Sequence, residues 1–502
     1  MPKELNELKT RLMEVYDLEH IGAMLTWDEA TYMPPGGAAS RGRQSALIAR
    51  LAHEKSIDPE IGHLLDALRP YEESQPYDSD DASLIRVARR EYERSIKVPP
   101  QFVAELFEHF SKIYNAWVVA RPANDFKSLE PLLERTVELS LCLAGFFPGY
   151  EHIADPLIDI SDYGMKATTL RGLFAQLRRE LIPIVQAITS QQAADDSCLK
   201  QHYPQADQLE FGEEVLKQIG FDFNRGRRDL THHPFMTSFS LSDVRITTRV
   251  DENDLGYSLF SDIHESGHGM YELGIRPELE GTPLAGGTSA GVHESQSRTW
   301  ENLVGRSRPF WEHFYPQLQK RFPSQLDNVS LETFYRAVNK VQRSLIRTEA
   351  DEITYNLHVM IRFDIELALL EGNLLVRDLP EYWHGRYYAD MGIRAPDDRD
   401  GVMQDVHWFS SLVGGAFQGY TLGNIMSAAF FSQALKAHPE IPAEMAQGTF
   451  GTLHTWLVDN IYQHGRKFTA NELVERITGN PLSIEPYIRY LKTKYGELYK
   501  LE

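Results

Sequence analysis

Residues 254–274 read DLGYSLFSDIHESGHGMYELG. Leu259, Phe260, Ile263 and Met270 supply apolar contacts at helical spacing, Asn253 or Asp254 can cap the start, and Gly274 can end it. Within this helix His264 and His268 stand one turn apart on one face, close enough to grip a single cation. Glu265 is rotated by about a quarter turn, so it can reach a water beside that cation without ligating it. Helical rhythm also runs through the rest of the chain. Leu5, Leu8, Leu12, Val15 and Leu18 mark one buried stripe; Phe334, Val338, Val341 and Leu345 mark a second, continued by Leu357, Ile361, Ile365 and Ala368. One stretch differs. SDVRITTRV, residues 242–250, alternates as a strand does, with Val244, Ile246, Thr248 and Val250 on one face and Asp243, Arg245, Thr247 and Arg249 on the other. The expected fold is mostly α: a large helical body with a small β element beside the metal site.

Composition narrows the function classes. The chain has 502 residues, and 51 Lys and Arg against 72 Asp and Glu leave a net charge of −21. A chain so acidic repels phosphate backbones and has no basic patch, so no nucleic-acid partner is expected. Apolar residues make up 42% and charged residues 25%, as in ordinary globular proteins. Two cysteines, Cys142 and Cys198, do not make a disulfide framework. The opening MPKELNELKTRLMEVY is interrupted by charges and does not resemble a signal peptide, and the apolar patches are too short to span a bilayer. The expectation is a cytoplasmic, reduced protein without membrane contact. With no repeat, low-complexity tract or linker, residues 1–502 read as one domain.

A third ligand would make the two histidines a catalytic metal site. GTPLAGGTSAG at 281–291 leads into a second helix that Thr288 or Ser289 can cap, and His293-Glu294 follows. Three-histidine zincins place the third histidine closer to the first two. A glutamate on the next helix is the Glu-ligand arrangement, so Glu294 is the expected ligand and His293 belongs behind the site or at its rim. Three protein ligands leave one coordination position open, the catalytic rather than the structural pattern.

Taken together, WDEATYMPPGGAASRGRQ (27–44), HPF (233–235), DVRIT (243–247), HESGH (264–268), HESQ (293–296), IRTEAD (346–351) and GVMQDVHW (401–408) resemble the carboxypeptidase Taq family of metallocarboxypeptidases nearly end to end. The resemblance implies a helical fold with a long, deep groove, related to angiotensin-converting enzyme and neurolysin-like peptidases. It also implies release of single residues from peptide C-termini with broad specificity, one divalent ion per subunit (zinc, or cobalt) and a homodimer. An oligopeptidase with the same metal core and a non-catalytic peptide-binding protein with a structural metal are the alternatives. An open coordination position and Glu265 argue against the latter.

Roles follow from the chemistry each step needs. Glu265 is the expected general base and then acid to the leaving amine. Arg347, expected in the middle of a long helix, offers a two-pronged site for the terminal carboxylate, favoured over a surface ion pair because of the resemblance. Asp351 is a candidate partner for a ligand histidine. His407 and Tyr420 are assigned, by analogy with related helical zincins, as donors to the developing oxyanion, with Asp405 available to orient His407. Asp243, Arg245 and Thr247 are open to two readings: lining the groove and capturing an extended peptide at a strand edge, or forming a structural ion pair. His233 belongs to the resembling pattern without a mechanism, and Tyr387 and Tyr388 read equally as substrate contacts or packing.

Overall fold

In a computed structural model the protein is described over residues 2–501. Among the described residues helices dominate, and the strands are three short ones. The Leu5 stripe lies on a helix spanning Lys3–Thr31 that folds back against Ala38–Ser56. Leu5 and Leu8 join Ile61, Leu65, Ile85 and Leu284 in a small N-terminal core. A much larger core, built around Trp300, Trp311, Phe310 and Phe314, fills the rest. Among the described residues no helix is long and apolar enough to cross a membrane.

Strands β1 (Gly226–Leu230), β2 (Met236–Ser240) and β3 (Asp243–Thr248) form one sheet in the order β1-β3-β2. β3 runs parallel to β1 and antiparallel to β2. Val244 and Ile246 are fully buried, as their alternation predicts. Peptide capture at an edge of β3 is ruled out, however. Its backbone donors and acceptors are used on both sides, so only β1 and β2 present edges.

The sheet packs against the HExxH helix, Leu255–Leu273. Asp254 rather than Asn253 caps it, its carboxylate accepting from the Gly256 amide at 3.1 Å. The Glu294 helix, Ala290–Arg298, is capped by Ser289, whose hydroxyl accepts from the Val292 amide, and it widens into a π-helical turn over Thr299–Val304.

Arg347 does not lie in a long helix. The helix carrying Phe334 ends at Val338, where the Asn339 side chain donates back to the Tyr335 carbonyl; Arg347 sits in a short 3₁₀ turn, and the next helix starts at Thr354. Asp351 caps that helix, accepting from the amides of Ile353 and Thr354, so it is spent on the backbone and does not support a ligand histidine.

Two glycines let the Glu294 helix pack closely on its neighbours. A Cβ on Gly267 would lie 2.6 Å from the Ser297 Cα and 2.8 Å from the Gln296 carbonyl oxygen. On Gly423, in the helix Gln418–Ala437, it would lie 2.6 Å from the Glu294 Cβ and 2.9 Å from its carbonyl carbon. Backbone cannot swing aside as a side-chain tip can. Gly423→Ala is therefore expected to destabilise the protein by about 1–3 kcal/mol through overpacking. Gly496→Ala, in a helix position with open space around it, should be neutral or stabilising by up to ~1 kcal/mol. Denaturant unfolding of both variants, followed by far-UV circular dichroism, makes the comparison.

Candidate metal centre and active site

The i, i+4 spacing aims the two imidazoles at Glu294. His264 Nε2 lies 3.7 Å, and His268 Nε2 3.5 Å, from Glu294 Oε2. One ligand atom from each residue falls within a span of 4.8 Å. The far ring nitrogens are also engaged. His264 Nδ1 lies 2.9 Å from Glu301, and His268 Nδ1 lies 2.9 Å from His293 Nδ1, whose own Nε2 is 2.7 Å from Glu272. These partners fix the tautomers. His264 gives its Nδ1 proton to Glu301, His268 gives its own to His293, and His293 gives its Nε2 proton to Glu272. Both ligand histidines are left with an Nε2 lone pair directed at Glu294. Two imidazole lone pairs and a carboxylate, each backed by an outer partner, fit a divalent ion with one position open.

Electrostatics keep Glu294 ionised and His268 neutral. At His264 burial is outweighed by the Glu294 and Glu301 carboxylates, which raise the imidazolium, so a cation binding there displaces its proton. Burial opposes ionisation of Glu294, but the Arg298 guanidinium at 2.7 Å, with His264 and His268, holds its carboxyl well below the ordinary range. Burial likewise opposes Glu301, which Arg298 and His264 hold down at about 2. Burial pushes the His268 imidazolium down to about 4. Glu265 goes the other way: burial, reinforced by Glu294 and Glu301, lifts its carboxyl to about 7 despite His264. A carboxyl poised there exchanges protons at neutral pH.

A second polar cluster adjoins the first through Tyr355, whose ring lies 4.4 Å beneath the Arg298 guanidinium. The Tyr355 hydroxyl accepts from Arg347 Nη1 at 2.8 Å. Arg347 also donates twice to Asp405, at 2.9 Å each, and Arg362 donates to the same carboxylate at 2.5 Å. Two guanidiniums sharing one carboxylate leave a net positive charge. His407 Nε2 lies 3.1 Å from the Tyr420 hydroxyl, and the Arg347 guanidinium lies 5.2 Å from the Tyr420 ring. Burial, outweighing Asp405, lowers the His407 imidazolium to about 4, so this histidine is neutral at working pH. Asp405 does not orient it: the arginines take the carboxylate, and His407 Nδ1, 3.9 Å away, has no hydrogen-bond partner.

The other expected residues flank these clusters, and His233 is near enough to His407 to help lower its imidazolium. Asp243 and Arg245 pair with each other twice at 2.9 Å, and the Arg245 guanidinium lies 4.3 Å from the Trp27 ring and 4.6 Å from Phe239. That is the structural ion pair of the two readings. Tyr387 is buried behind the arginines, its hydroxyl accepting from Arg362 at 2.7 Å; Tyr388 is exposed, and His233 is exposed next to β2. Sequence reasoning missed Glu301, Glu272, Arg298, Tyr355 and Arg362. For Glu301 a signal existed, since it stands two helical turns after Glu294 on the same face.

Residues 7–495 match the sequence model of the carboxypeptidase Taq (M32) metallopeptidase family. The chain belongs to that family. It is 42% identical to thermostable carboxypeptidase 1 of Thermus thermophilus, with 96% of each chain covered, and 35% identical to carboxypeptidase 1 of Bacillus subtilis, with 95% of each covered. The crystal structure of an M32 carboxypeptidase from Deinococcus radiodurans superposes with a TM-score of 0.96 at 48% identity, covering both chains completely. A Pyrococcus furiosus carboxypeptidase gives 0.95 at 30% identity over 99% of each chain. This M32 protein is accordingly a metal-dependent carboxypeptidase, a hydrolase of peptide bonds. If the three donors hold the metal, their outer partners should matter to its binding. Glu301→Gln, which keeps shape but loses the anion behind His264, is expected to weaken metal binding about 10- to 100-fold. Glu294→Ala should leave two imidazoles that hold a divalent ion poorly. Metal content after dialysis against graded chelator ranks the parent above E301Q and E301Q above E294A.

Proposed function

We propose that this M32 carboxypeptidase releases single C-terminal residues from peptides of broad sequence, with His264, His268 and Glu294 holding one zinc ion per subunit. Two imidazoles and a carboxylate with an open position form a zinc donor set, which cobalt also accepts. A divalent ion held there supplies Lewis acidity, lowering the pKa of a water and polarising a carbonyl. Glu265 takes the proton of the attacking water and returns it to the leaving amine, and its carboxyl near 7 supports both transfers. Neutral His407 and the Tyr420 hydroxyl, which burial keeps protonated, donate to the developing oxyanion. Arg347 holds the terminal carboxylate. Its two terminal nitrogens retain one free N–H each after their bonds to Tyr355 and Asp405, and the shared Asp405 leaves the pair of arginines net positive. Asp243 and Arg245 shape the groove wall by fixing β3 against Trp27.

The observation that carries this reading is Tyr355, which touches both Arg298 of the metal cluster and Arg347 of the cationic one. It sets an anion site beside the hydrolytic centre, as an exopeptidase needs. We further propose that the chain works as one catalytic domain, as a homodimer, and in the cytoplasm. The exposed stripe Phe107, Tyr114 and Val118 on one helix supports an interface, and the unpaired Cys142 and Cys198 support a reducing compartment.

Glu265→Gln is expected to keep the metal and lose at least about 100-fold in kcat. A kcat within tenfold of the parent, at equal metal content, removes Glu265 from the proton-transfer role. For Arg347, a matched peptide pair with a free or amidated C-terminus is the probe. The parent should prefer the acid by roughly 30- to several-thousand-fold in kcat/KM, corresponding to about 2–5 kcal/mol for an unpaired buried charge. Arg347→Ala should abolish that preference. Equal cleavage of both peptides by the parent would favour an oligopeptidase; full discrimination retained by the variant would place the anchor elsewhere.

A further inference from the structure

A cavity of about 540 Å³ lies between the helix Asp80–Ser95 and the first turn of the Glu294 helix. Arg90 and Arg94 line it, one helical turn apart. The Arg90 guanidinium lies 4.3 Å from the Tyr163 ring, and that of Arg94 lies 4.8 Å from Phe147 while donating to the Pro156 carbonyl at 2.6 Å. Among the described residues neither is within 4.0 Å of a carboxylate. Glu91, Asp159 and Arg466 also line the cavity, and both acids are engaged: Glu91 pairs with Arg466 at 2.7 Å, and Asp159 accepts from the Tyr150 hydroxyl and the Gly164 amide. In a chain with 72 acids to 51 bases, carboxylates are in surplus. Two like charges at i, i+4 left without one are a cost to the folded state. Stacking on aromatic rings fixes the guanidinium planes, and Ser289 and Ala290 bring the positive end of a helix to the same space.

The cavity borders the outer side of the metal site. His293 lines it and is bonded to His268. We propose that it is a carboxylate-binding subsite in which Arg90 and Arg94 receive an acidic side chain of the peptide upstream of the scissile bond. This rests on the reading that peptides are cut at the Glu265 centre, and it adds a substrate preference to that reading.

The test uses the metal-loaded protein and free-acid peptides that differ only by Glu or Gln at each of the three positions before the released residue. Parent kcat/KM should favour Glu at one position by about tenfold, the range of one charge-assisted hydrogen bond. The ratio should fall towards one in Arg90→Gln/Arg94→Gln, persist largely in Arg90→Lys/Arg94→Lys, and shrink with ionic strength. Inorganic phosphate should compete with the Glu peptide. A parent ratio near one at every position overturns the proposal, as does a ratio kept in full by the double Gln variant. Phosphate that changes hydrolysis of the Gln peptide in the parent but not in the double Gln variant would make this a site for a free anion, also against the proposal. Hydrolysis of the Gln peptide reports carboxypeptidase action itself, so failure of the underlying reading shows there and failure of the subsite shows in the ratio.

Discussion

The Glu294 carboxylate lies inside the protein between two imidazoles on one side and the Arg298 guanidinium on the other. Removing such a group from water is costly, and Arg298 and the Ser297 hydroxyl offset part of that cost while Oε2 stays directed at the imidazoles. Arg298 in turn bonds Glu301 at 3.1 Å, Glu301 backs His264, and Arg306 reaches Glu301 at 3.2 Å. A closed set of charges results, in which each member fixes the position of the next. The glycines follow from the same demand. Glu294 reaches both imidazoles because Gly267 lets its helix approach the HExxH helix, and because Gly423 leaves room for its Cβ and backbone.

What was legible in the sequence was whatever the local chain determines. The i, i+4 histidines, the Asp254 and Ser289 caps and the alternation of β3 depend only on residues a few positions apart, and the structure has them. Misreadings began where packing between distant segments decides. Alternation within β3 says which face is buried but not how many partners flank it, so the central position of that strand was not readable. Arg347 fits an apolar helical stripe. Yet its side chain is committed to Asp405 and Tyr355, its amide donates to the Gln404 side chain, and the chain there turns instead of continuing as a helix. Asp351 shows a different limit: a carboxylate four residues from an arginine resembles a partner for a distant histidine as much as a cap for the next helix, and only the backbone geometry separates the two.

His293 illustrates how neighbours of equal chemical promise diverge. It precedes Glu294 by one residue, and on a helix that rotates it about 100° away. From there it reaches the back of His268 rather than its Nε2, and passes the interaction on to Glu272. The π-helical turn after Arg298 gives Glu301 its place behind His264 by the same kind of local adjustment. Glu294 and Glu301 therefore come from one continuous segment, so a shift of that segment moves both together.

The distribution of charge sets up a contrast between long and short range. At a net −21 the protein repels acidic peptides as a whole, but beyond about 8 Å that repulsion is screened at physiological ionic strength. Within the molecule, cations held in semi-buried settings are screened far less. The Arg347–Asp405–Arg362 cluster carries one net positive charge, and the Arg90–Arg94 pair carries two that no carboxylate pairs directly, although Glu91 and Asp159 line the same cavity. Low-dielectric walls focus such fields into the space they face. The potential in that space is therefore opposite in sign to the one that surrounds the protein, and it favours carboxylates over apolar groups.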